Sequence, residues 1–245
     1  MVQNIFKGIK AYASALGLIS TLGLWKYFAV PVLISFITAS LIGLSAWSWS
    51  DNIANTIDLL WIWEWGADWF HGFAEILGGI LIIILGLIVY KHIVMALSAP
   101  FMSPVSTEIE RHFLGDKHIH RNTSNTSQLW RGIRINVRNL AMEIFITIPL
   151  LILSLVPVLN IVTTVLLFLV QAYYAGFGNM DYTLERHYGY KESVGFVKRH
   201  KGVAIGNGII FTIMLFIPVI GVLMVLPLSV TAATSQTIRF IQDKK

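Results

Sequence analysis

Hydrophobic positions along this chain come in long blocks rather than in alternation with polar ones. Charge-free stretches run from Tyr27 to Ser50, from Ile76 to Tyr90 and on past Lys91 and His92 to Thr107, from Ile144 to Met180, and from Val203 to Ile238. A helix needs roughly 20 apolar residues to cross a bilayer, and helices are favoured there because they satisfy their backbone groups within one segment. The pattern predicts an all-α integral membrane fold, one membrane domain over 1–245. Two long transmembrane helices are expected, over 24–50 and over 70–107 with its extension.

The third and fourth blocks, over 144–180 and 203–238, hold 37 and 36 residues, and each carries a proline-centred turn. One reads Val156-Pro157-Val158-Leu159-Asn160 and the other Ile217-Pro218-Val219-Ile220-Gly221. Proline presets a turn, and Asn or Gly three residues later completes it. The two prolines stand 61 residues apart, so the unit is an internal repeat. Allowing about four residues for each turn leaves roughly 16 per leg, near 24 Å of helix against a hydrocarbon core of about 30 Å. Two re-entrant, partly penetrating hairpins fit these lengths, with tips at Pro157 and Asn160 and at Pro218 and Gly221. The alternative is two tight full-spanning hairpins in a thinned bilayer. Tip backbone groups without helical partners have to be buried in protein or line a wet cavity, which points to a permeation path.

Residues 1–22 form a different element. Val2, Ile5, Phe6, Ile9, Ala13 and Leu16 share one helical face, and Gln3, Lys7, Lys10 and Ser14 share another. This is the pattern of an interfacial amphipathic helix lying in the membrane plane.

Charge then sets the orientation. The segment 51–75 contains Asp51, Asp58, Glu64, Asp68 and Glu75 and no Lys or Arg. Lys7, Lys10 and Lys26 precede the first span, six basic residues from Arg111 to Arg138 fill the next loop, and Arg186, Lys191, Lys198, Arg199 and Lys201 fill the third. Basic residues are retained on the cytoplasmic side. Both termini and the two basic loops are therefore expected inside, with 51–75 outside. That outer segment and its edge hold Trp47, Trp49, Trp61, Trp63, Trp65 and Trp69, an aromatic belt at the headgroup boundary. Glu64, Asp68, His71 and Glu75 recur there at helical spacing, a pattern read as a solvated helix face, with a divalent-cation site as the alternative.

Composition narrows the function classes. The chain is 56% hydrophobic and 13% charged, which argues against a water-soluble enzyme. It has no cysteine, so thiolate catalysis, thiolate metal sites and disulfides are excluded. Its net charge of +5 suits an anionic membrane face, and no nucleic acid is expected as a partner. No G-x-S-x-G, H-E-x-x-H, G-x-x-x-x-G-K-[ST] or G-x-G-x-x-G motif occurs, so no enzymatic activity and no cofactor are expected. His112, His118 and His120 share a loop with Glu108 and Asp116, but no metal is assigned.

Three features are candidates for anion chemistry. Arg131, Arg134 and Arg138 recur at helical spacing before the first hairpin, where they either recruit an anion or grip lipid phosphates. Lys198, Arg199, His200 and Lys201 hold the same place before the second. Lys91 and His92 either lie within the second span as a functional intramembrane charge or mark its end, with Lys91 snorkelling to the headgroups. Gly202 and Gly206 form a G-x-x-x-G pair suited to close helix approach.

The string Asp181-Tyr182-Thr183-Leu184-Glu185-Arg186-His187, with Ser193, Phe196-Val197-Lys198-Arg199-His200-Lys201-Gly202, Gly206, Gly208, Ile217-Pro218, Pro227-Leu228 and Ala232-Ala233-Thr234, resembles the CysZ family. Ala99-Pro100-Phe101 followed by Val105 to Glu110 resembles the family's second marker. Those bacterial sulfate permeases share a domain with the etoposide-induced membrane proteins of eukaryotes. The resemblance covers nearly the whole chain. It implies two long transmembrane helices, two pairs of helices that enter the bilayer partway, cytoplasmic termini and a homo-oligomer in the bacterial cytoplasmic (inner) membrane. It also implies an anion-binding turn at the start of the first long helix, where the family has Gly-Leu-Arg and this chain reads Gly23-Leu24-Trp25-Lys26, with the arginine absent and Lys26 one residue later. Free N–H groups and the positive dipole end of a helix start attract an oxyanion, with Lys26 as a point charge.

Two function classes follow. The first is a permease or channel for sulfate or a related oxyanion that feeds sulfur assimilation. The second is a non-transporting membrane scaffold or partner-binding protein, with the membrane subunit of an exporter as a further variant.

Overall fold

The computed structural model describes residues 1–58, 72, 82, 85–115, 124–217, 221 and 223–242, and every described element is helical. The chain starts with α1 (Val2–Thr21), a 3-10 turn (Leu24–Tyr27) and α2 (Ala29–Asp58). Then follow α3 (Leu85–Leu97), α4 (Ala99–Leu114), α5 (Asn125–Ser154) and α6 (Pro157–His187). The last elements are α7 (Tyr190–Arg199), α8 (Lys201–Leu215) and α9 (Val225–Gln242). Glu64, Asp68, His71, Glu75, the tryptophans from Trp61 to Trp69, His118, His120 and Pro218 lie outside the described residues.

Along the long apolar helices burial runs opposite to that of a water-soluble protein, although an apolar core that includes Ile19, Met95, Met102, Phe177 and Phe211 is buried between helices. On α2 the buried positions include Pro31, Ser35 and Thr38, while Leu33, Phe36, Ile37, Leu41 and Leu44 are exposed. On α5 and α6, Glu143, Thr147 and Thr163 are buried while Phe145, Ile148, Ile152, Ile161 and Val165 face outward. Polar-in and apolar-out is favourable only when the surrounding solvent is hydrocarbon. Among the described residues three helices are long and apolar enough to cross a membrane, and the number rises to four if the bent pair α3–α4 is one span. This is a multi-pass membrane protein.

The second apolar block is not one straight helix. It breaks at Ser98, where α3 and α4 meet at 68°. Pro100 explains the break: it has no N–H for the ladder, and its ring clashes with the carbonyl four residues earlier in a continuous helix. The amides of Phe101 and Met102 instead bond to the Ser98 carbonyl. α4 ends at Gly115, whose φ of 53° is the left-handed stop that a residue with a Cβ resists.

The first hairpin is longer than its apolar block. α5 and α6 have 30 and 31 residues, about 45 Å each, because both helices continue beyond 144–180 into charged turns. Its tip corrects one expectation. The carbonyls of Ile152, Leu153 and Val156 accept from backbone amides around the turn, and Asn160 Nδ2 donates to the Ser154 carbonyl at 2.9 Å. Leu155, Val158 and Ile161 are exposed there, Val158 by 86%. A tip that bonds its own backbone need not be buried or line water. In the second hairpin α8 has 15 residues and α9 has 18, about 22 and 27 Å. The Gly221 amide there donates to the Ile217 carbonyl.

Glycines bring the inner helices together. A Cβ on Gly206 would lie 2.1 Å from the Ile5 carbonyl oxygen, and one on Gly202 would lie 2.8 Å from that of Met1, so the G-x-x-x-G face of α8 receives α1. Gly208 on α8 meets the Ala172 carbonyl, and Gly176 on α6 meets that of Ala204, so another face of α8 receives α6. α1 is consequently more than a surface helix: Gly8, Ala11, Ala15 and Ile19 are buried, while Val2, Phe6, Ala13 and Leu16 remain outside.

Candidate functional site

The end of α6 organises the interior. Seven consecutive residues, Asp181 to His187, hold neighbouring helices, because successive helical positions point in directions about 100° apart. Asp181 accepts from Arg131 of α5, with Nε to Oδ2 at 3.0 Å and Nη2 to Oδ1 at 2.9 Å. The Tyr182 hydroxyl donates to the Met95 carbonyl of α3 at 2.5 Å. Ser103 of α4 donates to Glu185.

Arg186 and His187 both reach Glu110 on α4. Arg186 donates from Nε at 2.9 Å and Nη2 at 2.7 Å to Glu110 Oε2, and His187 Nε2 lies 2.6 Å from Oε1. Arg186 also donates to the Tyr182 carbonyl and to Ser106. Ser106, Thr183 and Thr234 close a triangle of hydroxyls at 2.9 to 3.0 Å, which joins α4, α6 and α9. Glu110 and Arg186 are both buried. Such ionised bonds are strong in a low-dielectric interior, and leaving any member unpaired there is costly.

A second cluster lies on α3 and α5. Lys91 Nζ is 2.5 Å from Glu143 Oε1 and donates to the Gln171 carbonyl at 3.2 Å. His92 Nε2 is 2.9 Å from Glu143 Oε2, and its Nδ1 faces Asn136 Oδ1 at 3.2 Å. Lys91 does not snorkel. Its side chain is 1% exposed, because a carboxylate within the protein is nearer than the headgroups. A third, uncharged cluster ties α1 to the bundle: the Tyr12 hydroxyl meets the Asn207 carbonyl at 2.8 Å and Ser229 Oγ at 2.7 Å, and Asn179 donates to Asn207. Burial pushes the Tyr12 phenol far above its ordinary pKa, so it remains a neutral hydrogen-bonding group.

The residues expected to meet an anion fall into two groups. Arg131 spends four of its five N–H donors on Asp181, the Tyr188 carbonyl and Ser193, so its charge is matched within the protein. It is a helix clamp rather than a free anion receptor. Arg134 and Arg138 carry no ion pair among the described residues. Arg134 lies 4.1 Å from the centre of the Tyr190 ring and Arg138 5.3 Å from that of Phe177. Cation–π stacking fixes such a guanidinium while leaving its edge open to an anion.

Gly23 adopts φ 62° and turns the chain into the 3-10 segment before α2. Leu24 is buried as its anchor, Trp25 and Lys26 are exposed, and Lys26 Nζ sits 5.2 Å from the Tyr27 ring centre. No contact among the described residues joins this turn to Arg134 or Arg138. Pro157 begins α6 and Asn160 caps the tip carbonyl, so these two shape a turn rather than a binding group.

The sequence pattern assigned no charge-pairing role to Glu110, Glu143, Asp181 and Glu185, the acids that neutralise the interior cations. One signal was present. Glu143 stands at the edge of one apolar block and Lys91 and His92 interrupt another, and isolated opposite charges in apolar segments find stability by pairing.

Among the curated proteins none matches this chain. The family model for Sulfate transporter CysZ/Etoposide-induced protein 2.4 matches residues 11–225. That match spans α1 to the start of α9 and takes in the whole Asp181–His187 clamp. With polar residues buried and apolar ones outward along its span-length helices, this membrane protein belongs to the Sulfate transporter CysZ/Etoposide-induced protein 2.4 family.

Proposed function

We propose that this chain is a permease or channel for a small oxyanion, sulfate foremost, in the bacterial cytoplasmic membrane. It works there as a homo-oligomer by permeation rather than catalysis. The observation that carries this reading is the match to a sulfate-transporter family over 11–225. Its physical support is the separation of charges. The interior cations Lys91, Arg131 and Arg186 are matched by carboxylates, whereas the exposed Lys26 and Arg134 and the half-buried Arg138, which donates to Asn139 Oδ1 at 2.8 Å, have no ion pair among the described residues. An unmatched cation held by an aromatic ring can take up and release a hydrated anion, and a closed ion pair cannot do so without breaking.

In this reading both termini are cytoplasmic and the two hairpins re-enter from the inner face, the first on legs that are each long and apolar enough to cross. The exposed, uncharged tip around Leu155, Val158 and Ile161 supports re-entry, because such a surface is stable in hydrocarbon and not in the outer aqueous layer.

Labelled-sulfate uptake into proteoliposomes, set against chloride and phosphate, tests the proposal. Uptake above empty vesicles with preference for sulfate is expected. Absence of uptake by correctly folded and oriented protein overturns it. A non-transporting scaffold is the second reading, favoured by the closed pairing of the interior charges. It requires zero flux and capture of partners through the cytoplasmic loops.

A further inference from the structure

α1 has three faces, and the proposed permeation uses none of them. At about 100° per residue, the buried stripe of Gly8, Ala11, Ala15 and Ile19 is followed around the helix by an apolar stripe of exposed Val2, Phe6, Ala13 and Leu16 and half-buried Ile9. The cationic stripe of Lys7, Lys10 and Ser14 closes the circle. It faces the end of α9, and between the two helices lies a cleft of about 470 Å³ lined by Lys7, Lys10, Ser14, Gln236, Arg239 and Gln242, among others. That volume falls in the range of roughly 300–1,000 Å³ typical of small-ligand sites.

Two observations give the cleft a chemistry. Lys7, Lys10 and Arg239 converge on it with no carboxylate among its lining residues and no ion pair for any of them among the described residues. Lys7 is steered across to α9 by the Phe240 ring, 5.6 Å from its Nζ. Gln236 is 7% exposed, lines the cleft, and its amide has no hydrogen-bond partner among the described residues. Its amide therefore stays available to a ligand or water in the cleft. Three cations and an amide donor from Gln236 form a donor set for a tetrahedral oxyanion, while the Ser14 hydroxyl beside them donates to the Ala11 carbonyl at 3.1 Å.

We propose that the α1–α9 cleft binds a phosphate group, with Lys7, Lys10 and Arg239 supplying charge and Gln236 supplying a neutral donor. The neighbouring stripe of Val2, Phe6 and Leu16 lies where the acyl chains of an anionic phospholipid would run, so a lipid headgroup is one source of the phosphate. Free inorganic phosphate is the other. The site is separate from the Gly23–Lys26 turn and from Arg134 and Arg138.

The full chain is purified in detergent, and binding of phosphatidylglycerol is measured by native mass spectrometry beside titration with inorganic phosphate. Retained phosphatidylglycerol that millimolar phosphate does not displace assigns the site to a lipid headgroup. Saturable phosphate binding without lipid assigns it to the free anion. In either case the K7Q/K10Q/R239Q variant is expected to bind about a hundredfold more weakly, at roughly fivefold per charge. Gln236→Leu, which keeps every charge, is expected to bind weaker by about tenfold through loss of one buried hydrogen bond. Lys191→Gln, on the exposed face of α7, serves as the control and is expected to bind as the parent does. Failure to bind either ligand, or binding unaltered in both cleft variants with thermal stability retained, overturns the proposal.

Discussion

The Lys91 ammonium on α3 stands 2.5 Å from the Glu143 carboxylate on α5, and the two side chains are 1% and 0% exposed. Both charges lie inside a membrane protein whose outer surface is hydrocarbon-like, so neither has water to return to. Removing one partner leaves the other buried and uncompensated. Glu143→Gln is therefore expected to destabilise the fold by about 3–5 kcal/mol. The pair Lys91→Met with Glu143→Leu is expected to recover most of that loss. Thermal unfolding of the detergent-solubilised single and double variants measures the coupling, and simply additive losses would show that the two residues do not act as a pair.

Close helix approach through α8 has its own signature. Gly208→Ala drives a Cβ to within 1.7 Å of the Ala172 carbonyl oxygen, and Gly206→Ala to within 2.1 Å of that of Ile5. Each is expected to cost at least about 1–3 kcal/mol through displaced backbone. Gly17→Ala, where a Cβ meets nothing within 4 Å, is expected to be neutral or to stabilise α1 by up to about 1 kcal/mol. Unfolding midpoints of the three variants in one detergent check the ranking, and equal midpoints for all three would refute close packing at α8.

Arg131 and Lys26 separate stability from transport. Arg131→Lys loses the two-point grip on Asp181 and is expected to lower stability by about 2 kcal/mol, since the planar fork has no lysine equivalent. Lys26→Ala touches an exposed side chain and is expected to leave the unfolding midpoint unchanged while lowering sulfate uptake about tenfold, equivalent to about 1.4 kcal/mol. Uptake and unfolding measured on the same preparations distinguish the two effects. Equal uptake by Lys26→Ala and the parent would remove the Gly23–Lys26 turn from the path.

Absence of cysteine from the natural sequence makes the hairpin tip directly testable. Val158→Cys introduces the only thiol, at an exposed position beside the Ser154–Asn160 turn. A membrane-impermeant maleimide applied from outside is expected to leave it unlabelled, while a lipid-soluble maleimide labels it. Rapid labelling from outside would make the tip an ordinary surface loop between two complete spans.

Block hydropathy was enough to find the membrane class, the long apolar helices and the proline-centred first turn, because transfer of apolar side chains into lipid is a property of each segment on its own. The motif from Asp181 to His187 and the marker at Ala99-Pro100-Phe101 were enough for the family. Pro100 and Gly115 likewise act locally, so the bend at Ser98 and the end of α4 were readable in principle. What no local pattern contained was the pairing of Lys91 and His92 with Glu143, of Arg131 with Asp181 and of Arg186 and His187 with Glu110, across separations of 50 to 77 residues. Those pairs depend on which helix faces lie opposite one another, and that in turn depends on glycines such as Gly206 and Gly208 letting backbones touch. The sequence alone determined that this protein lives in a membrane and to which family it belongs. Only the tertiary structure decided which of its charges are locked inside and which stay without an ion pair among the described residues, because a buried charge takes its partner from whatever the packing sets beside it.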